Sequence, residues 1–356
     1  MNENQIVNQA KAVDLKISQK ESLAPYTTWQ IGGLAEYLAI SNNSEELTKL
    51  VKLAIDNQIN YTIIGGGSNT LISDEGIKGL VVINKSKNIE ILEDNKTGAI
   101  QDIEQFEADN YNPWIPPRHG EEDNSFYSFK DLDYQESGNR IKVKLNSGVS
   151  LPWAIAWTLK NQITGLQFFA GIPGTIGGAL FNNIHGGTKH FSDYFHSAKV
   201  LVDGQLSEFK FEDFKFGYDQ SVIRDQKNIV VIEVTLNLFQ GDIKKAKYVA
   251  SEWMKRKRTQ PRRTAGCTFK NIPLEKQAEL GFPTPSVGYI VDKKFGWRGK
   301  TSGDAIISQN HANFIENQSG KATAKDVINL INQIKDRADK DLGLDLETEI
   351  SLLGFD

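Results

Sequence analysis

Two glycine-rich stretches hold the residues of this chain best suited to gripping an anion. The first, Gly65-Gly66-Gly67-Ser68-Asn69-Thr70-Leu71, directly follows a short apolar run that reads as a buried strand. Successive glycines let backbone N–H groups converge on one charge, because no Cβ blocks the approach. Ser68, Asn69 and Thr70 add short polar donors. No Gly-Lys-[Ser/Thr] ends the stretch, and it does not read GxGxxG, so neither common phosphate-loop pattern applies. The second stretch, Gly171-Ile172-Pro173-Gly174-Thr175-Ile176-Gly177-Gly178-Ala179, spaces its glycines in a way that suits neither a helix nor a strand interior. Either stretch alone also reads as a tight turn. Two such loops, each fed by a strand, can clamp the two ends of an extended dinucleotide.

Other reactive side chains are few. Cys267 is the single cysteine, which excludes an intrachain disulfide and any cysteine zinc cluster. A thiol exchanges its proton nearer neutral pH than a hydroxyl does, with a reference pKa of about 8.5. A lone cysteine is more often a small buried hydrophobe. Glu347 and Glu349 alternate, as two same-face residues of an edge strand would. Lys255-Arg256-Lys257-Arg258, continued by Arg262 and Arg263, is a local basic run that reads in isolation as a nucleic-acid patch or as a solvated helix end. His185, His190 and His196 stand near Asp193, but their spacing fits no zinc motif and implies no metal.

The elements that must position these residues divide into three expected units. At 356 residues the chain is long enough for two or three cores, and 39% apolar with 24% charged residues is ordinary for a globular protein. A net charge of −4 argues against nucleic acid or an anionic membrane as partner. The opening MNENQIVNQAKAV lacks the apolar core of a signal peptide, and no apolar run approaches the roughly 20 residues that span a bilayer. The expectation is a cytoplasmic protein.

Unit one, residues 1–85, combines a helix behind an Asn43-x-x-Glu46 capping box with strands at 61–64 and 81–83. Unit two, 86–240, opens with a polar, proline-bearing excursion at about 93–140, part of which Phe126, Tyr127 and Phe129 would pack back onto the body. A strand at 141–145, a helix at 153–160 capped by Ser150, and a strand pair at 200–202 and 229–238 follow. Unit three, 241–356, has a helix at 242–256, short strands and turns over 262–320, and a closing helix capped by Thr323-x-x-Asp326. Val327, Leu330, Ile331, Ile334 and Ala338 line one face of that last helix.

The ordered motifs together resemble one family. Ile63-Ile64 with the first glycine loop, the second loop leading to Asn183, and Thr28-x-x-Ile31-Gly32-Gly33-x-Ala35 are similar to the UDP-N-acetylenolpyruvoylglucosamine reductases. Ala265-Gly266-Cys267-x-Phe269-Lys270-Asn271, the stretch 288–303 leading to His311, and Leu346-Glu347-x-Glu349 match the same family. The resemblance covers nearly everything except the 93–140 excursion. It implies an α/β fold: a two-part FAD-binding region of the vanillyl-alcohol-oxidase type, plus a C-terminal α/β substrate domain. It further implies non-covalent FAD, NADPH as co-substrate, and a UDP-sugar substrate whose enolpyruvyl group is reduced in peptidoglycan precursor synthesis. That role would tie the protein to cell shape and division, with no nucleic acid, membrane or required protein partner.

By the same resemblance, the cofactor would be held by Gly65, Gly66, Gly67, Ser68, Asn69, Thr70 and Leu71, by Ile172, Pro173, Gly174, Thr175, Gly177 and Gly178, and by Asn183. Cys267 stands where the family usually carries a serine that protonates the substrate. Glu349 matches its active-site glutamate, and Tyr218, Arg256, Lys270 and Asn271 would contact substrate. One position departs. The family's arginine after Phe-Gly-Tyr is Asp219 here, in Phe216-Gly217-Tyr218-Asp219, so Arg224 is the expected replacement cation. The near-direct passage from Leu238 to the 242 helix leaves no room for the tyrosine-bearing loop of some members, placing the chain nearer the loop-lacking type. Two alternatives stay open: another FAD oxidoreductase of the same fold, or a non-catalytic flavin- or nucleotide-binding relative, which Asp219 would favour.

Overall fold

The computed structural model describes residues 5–92, 132–217, 221–224, 226 and 228–355. Most of the 93–140 excursion, with Phe126, Tyr127 and Phe129, lies outside the described residues, as do Tyr218, Asp219 and Gln220. The chain forms two compact units, neither continuous in sequence: residues 1–40, 56–83 and 259–356 make the first, and 41–55 with 84–258 the second.

The first unit contains a four-stranded sheet in which Leu34–Ser41 lies between Ile17–Ser22 and Ile77–Asn84, with Tyr61–Ile64 at the other edge. Tyr61–Ile64 runs parallel to Ile77–Asn84, the arrangement expected when a crossover separates two buried strands. A separate parallel pair joins Thr70–Ile72 to the last strand, Ser351–Leu353. The closing helix is Ala324–Leu342, and the spaced apolar residues named above are all buried in the core beneath it. Its capping box forms as the sequence predicts, Thr323 Oγ1 accepting from Asp326 N at 3.2 Å and Asp326 returning a bond to Thr323 N at 3.0 Å. Between 262 and 320 there are short strands, but also helical turns at Leu274–Glu279 and Val287–Tyr289 that the sequence pattern does not announce.

The second unit is built on an antiparallel five-stranded sheet in the order Gln205–Phe209, Phe195–Val202, Ile229–Gln240, Asn139–Asn146, Ile89–Leu92. Leu151–Lys160 covers it, with Ser150 Oγ capping Trp153 N at 3.2 Å. Ser44–Asp56 is the helix expected behind Asn43, whose Oδ1 accepts from Glu46 N at 2.8 Å. The helix Ile243–Lys257, expected at the start of a third unit, has Val249, Ala250 and Trp253 in this second core. Only Gly241 and Asp242 separate it from the preceding strand.

Two further bonds tie the closing helix into the first unit. Asp74 accepts from the free N–H groups of Ala324 and Lys325, at 2.8 and 2.9 Å, so an exposed carboxylate from the sheet region caps the closing helix from outside it. Asp74→Ala should lower unfolding free energy by about 1–2 kcal/mol, the range for a lost N-terminal cap. Asp74→Asn, which keeps one acceptor, should lose less. Urea unfolding of both variants checks this, and an unchanged midpoint for the alanine variant would remove Asp74 from the account.

Candidate active site

Thr28 is the residue from which the first unit's site is built. Its neighbour Trp29 is fully buried and donates from the indole to Ile315 O at 2.8 Å, while Asn317 Nδ2 donates to Trp29 O at 2.9 Å. So anchored, Thr28 donates its amide to Gly67 O at 3.1 Å and its hydroxyl to Thr264 O at 2.6 Å. The glycine loop and the segment that carries Cys267 therefore meet one residue.

Gly67 has φ +57°, and a Cβ there would stand 2.0 Å from Tyr26 O, so no other residue fits the turn. Among the described residues, none accepts a hydrogen bond from the N–H of Gly66 or Gly67. Asn69 leaves the loop by bonding the chain's end: Nδ2 donates to Glu349 O at 3.3 Å, and Ser351 N donates to Asn69 O at 2.9 Å. Thr70 enters the strand that pairs with Ser351, and Leu71 is buried in the core.

Cys267 is half-buried in a segment without regular structure, after Gly266 at φ +82°. A Cβ on Gly266 would meet nothing within 4 Å, so glycine stands there for its backbone conformation rather than for lack of room. Glu349 N donates to Thr268 O at 2.9 Å and Lys270 N to Glu347 O at 3.0 Å, with Phe269 bridging Thr348. Residues 347–349, expected as an edge strand, form only an isolated bridge to the cysteine segment, and the regular strand begins at Ser351. Asn313 holds the cysteine segment's other edge, with Thr268 N donating to Asn313 O at 2.7 Å. His311 sits beside it, Asn313 N donating to its Nδ1 at 3.3 Å. Burial, with Arg298 nearby, pushes His311 below the usual imidazole range, so the ring stays neutral and keeps that acceptor.

Lys270 Nζ pairs with Glu347 at 2.9 Å, and the ammonium holds that carboxyl below its usual range. Both side chains are partly open to solvent, so the pair contributes little stability and the lysine can change partners. Asn271 is exposed. Two buried hydroxyls, Thr264 Oγ1 and Thr268 Oγ1, have no hydrogen-bond partner among the described residues. Orphaned hydroxyls beside Cys267, together with the unspent N–H groups of Gly66 and Gly67, fit a polar cofactor or substrate at this place.

The second unit holds the other expected residues, and its glycine stretch differs from the reading made on spacing. Ile176–Asn182 is a helix, so Gly177 and Gly178 lie in a helical first turn, and the stretch follows the 3-10 turn Leu166–Phe169 rather than a strand. Thr175 caps that helix, its Oγ1 accepting from Gly178 N at 3.2 Å, while Ile176 N and Gly177 N donate to Val149 O and Ser147 O at 2.9 and 2.8 Å. A Cβ on Gly177 would come within 2.9 Å of Ser147 Cβ, which is why glycine is tolerated in a helix here. Ile172 packs on the core and Pro173 is exposed; Gly174 O accepts from Leu151 N at 2.9 Å.

Asn183 ends the helix in a left-handed conformation, and its carboxamide is committed to protein, accepting from Ser192 N at 3.0 Å and donating to Gly217 O at 2.8 Å. Ser221 Oγ donates to Phe181 O at 2.7 Å, so both flanks of 218–220 are tied to this helix. Arg224 lies with its guanidinium over the Phe181 ring at 5.8 Å. Arg256 lies over Trp253 at 5.7 Å, near the C-terminal end of Ile243–Lys257, and the neighbouring Lys257 side chain approaches Gly171. The structure thus brings Gly66, Gly67, Asn69, Cys267, Lys270 and Glu349 together in the first unit, and Arg224 with Asn183 in the second. Sequence reasoning does not single out Thr28, Asp74 or Asn313 as the side chains that tie these segments together. Only the motif containing Thr28 carries a signal.

Residues 258–353 match the family model for the C-terminal domain of UDP-N-acetylenolpyruvoylglucosamine reductase. The UDP-N-acetylenolpyruvoylglucosamine reductase of Prochlorococcus marinus is 31% identical over 96% of this chain and 99% of its own. That of Halalkalibacterium halodurans is 32% identical, covering 98% of this chain and 99% of the relative. The crystal structure of UDP-N-acetylenolpyruvylglucosamine reductase from Thermus caldophilus superimposes with a TM-score of 0.66 at 25% identity, over 95% of this chain and 98% of that one. With full-length relatives above 30% identity and the same fold, the chain belongs to the UDP-N-acetylenolpyruvoylglucosamine reductase family.

Proposed function

We propose that this protein reduces the enolpyruvyl group of UDP-N-acetylglucosamine enolpyruvate to give UDP-N-acetylmuramate, with FAD as cofactor and NADPH as reductant, in the cytoplasm. The observation that carries the reading is the convergence, in one unit, of an anion-ready glycine loop with Cys267 and Glu349. Family membership supplies the substrate class, a UDP-sugar. When bound, FAD supplies hydride chemistry at the enolpyruvyl double bond.

The chain's own residues must do the remainder. Gly66 and Gly67 offer N–H donors to a phosphate, with Ser68, Asn69, Thr70 and Leu71 completing that segment. In the second unit Ile172, Pro173, Gly174, Thr175, Gly177, Gly178 and Asn183 are the further proposed cofactor contacts. Reduction at one carbon leaves charge at the carbon bearing the carboxylate, and that carbon then needs a proton. Cys267, half-buried, is the proposed donor. Glu349 is the other proposed catalytic group, supported by the bond from its amide to the carbonyl of Thr268, the residue after Cys267. Arg224 is the proposed cation for the substrate carboxylate, and Tyr218, Arg256, Lys270 and Asn271 are proposed substrate contacts. Among the described residues no helix is long and apolar enough to cross a membrane, and no group of three metal-ligating side chains occurs.

The absorbance of purified protein tests the reading directly. A flavin spectrum should be present, should bleach with NADPH, and should return when the enolpyruvyl sugar nucleotide is added. Protein that stays colourless after reconstitution with FAD would sink it. If Cys267 gives the proton, Cys267→Ala should leave bleaching by NADPH near normal and slow the return by about 10²–10⁴-fold. Cys267→Ser should recover much of that rate, whereas equal losses in both halves would mean a structural cysteine. A guanidinium beside the carboxylate stabilises the charged state selectively, and removing it should cost roughly 3–4 kcal/mol of barrier. Arg224→Ala should therefore slow the return by about 10²–10³-fold with a milder change in binding, and wild-type behaviour would exclude Arg224 as that cation.

A further inference from the structure

We infer that Glu136 is a positioning residue for the cofactor: residues 132–136, the described end of the 93–140 excursion, brace the second glycine stretch from both of its ends. The role of that stretch rests on the proposed function, and the brace rests on geometry within the second unit. Leu132 is buried in the core, and the Tyr134 ring lies 5.2 Å from that of Phe168, with Lys245 Nζ over Tyr134 at 4.1 Å. The Glu136 carboxylate gathers three bonds, accepting from Thr164 Oγ1 at 2.7 Å, from Tyr134 OH at 3.2 Å and from Gln167 Nε2. Gln167 is fully buried, donates also to Tyr134 OH at 2.8 Å, and accepts from Gly165 N at 2.6 Å through its Oε1.

These bonds fall on the turn that leads into the glycine stretch. Gln167 belongs to Leu166–Phe169; its carbonyl accepts from Ala170 N at 3.2 Å, and Phe169 O accepts from Ile172 N at 3.1 Å. Asp133 meets the far end. A Cβ on Gly187 would stand 2.8 Å from Asp133 Oδ1, and one on Gly186 would stand 2.0 Å from Phe168 O. The hairpin after Asn183 is therefore packed against both the excursion's end and the entry turn. The first-turn donors at 176 and 177 are already spent on Val149 and Ser147, so this stretch offers a ligand its shape, which depends on what holds its ends. Without the Glu136 carboxylate, one N–H of the buried Gln167 amide has no acceptor, and Thr164 Oγ1 keeps only the longer bond to Phe239 O at 3.4 Å. A buried donor without an acceptor bears the full cost of its desolvation, which favours a shifted, hydrated turn. Flavin must then draw the turn back, and its apparent Kd rises by the inverse of the competent fraction.

Flavin titration of the apoprotein tests this. Glu136→Ala should raise the Kd for FAD by about tenfold, while Glu136→Gln, which keeps an acceptor for Gln167, should stay within about threefold of wild type. A merely structural Glu136 would lower the thermal midpoint of the alanine variant yet leave the Kd of its folded form unchanged, which overturns the inference. Equal losses in the alanine and glutamine variants overturn it too. Should Glu136→Ala not fold, Tyr134→Phe removes one hydroxyl from the network and keeps the ring on Phe168; it should raise the Kd by about threefold, and a wild-type Kd there overturns the inference. Hydrogen exchange at the Gly165 amide gives a readout free of flavin, and should quicken by at least about tenfold in Glu136→Ala. An unchanged exchange rate removes the brace. Wild-type protein that takes up no FAD would instead strike the proposed function, leaving exchange at Gly165 to judge the brace.

Discussion

The hydroxyl bond from Thr28 to Thr264 O, 2.6 Å long and spanning 236 positions of sequence, is the constraint on which the first unit's site depends. Thr28 cannot drift, because Trp29 is locked in the core by its indole and carbonyl bonds. Its amide holds Gly67 O, and its hydroxyl holds the residue three before Cys267. The N-terminal segment is therefore a template against which two remote loops are set. That explains the Thr28-x-x-Ile31-Gly32-Gly33 pattern without giving it any chemistry: Gly33 lets the chain pass close to Asp74, where a Cβ would stand 2.2 Å from a carbonyl oxygen. Asp74 in turn holds the closing helix.

What the sequence made legible was local. Asn43 with Glu46, Ser150, and Thr323 with Asp326 each announce a helix because the cap and the donor it satisfies lie within three residues. The apolar face of Ala324–Leu342 is read from period alone. The units were not legible as compact bodies, because their strands pair out of order. Leu34–Ser41 joins Ile17–Ser22 to Ile77–Asn84, and Ser351–Leu353 returns across almost the whole chain to Thr70–Ile72. The helix Ile176–Asn182 was hidden for a different reason. Two glycines in its first turn lower its propensity, and it exists through the Thr175 cap and bonds to 147 and 149.

Of the proposed site, composition and spacing pointed to the two glycine stretches, whereas Cys267 and Glu349 came from the resemblance to the family. They could not give the paired bonds of the Asn313 carboxamide to Phe269, 44 positions away. Nor could they show that Lys270 already has a partner in Glu347, or that Asn183, a candidate cofactor contact, spends its carboxamide on Gly217 and Ser192.

The two glycine stretches, alike in composition, solve different physical problems. Around Gly66 and Gly67 glycine frees backbone donors, and those donors face no protein acceptor among the described residues. Around Gly177 it allows the helix to touch Ser147, and the first-turn donors at 176, 177 and 178 are each consumed by Val149, Ser147 or Thr175. A ligand at the second stretch would meet a shaped wall with little hydrogen-bonding capacity left in it. In the proposed reading, recognition of phosphate charge therefore falls to the first unit, the same unit that carries the thiol and the glutamate. In the second unit Arg224, the proposed cation, lies over the Phe181 ring rather than on the glycine stretch. In that reading the charge of the cofactor and the proton delivered to substrate are both set within the first unit, in the hydrogen-bonded frame that joins Thr28 to Gly67 and Thr264.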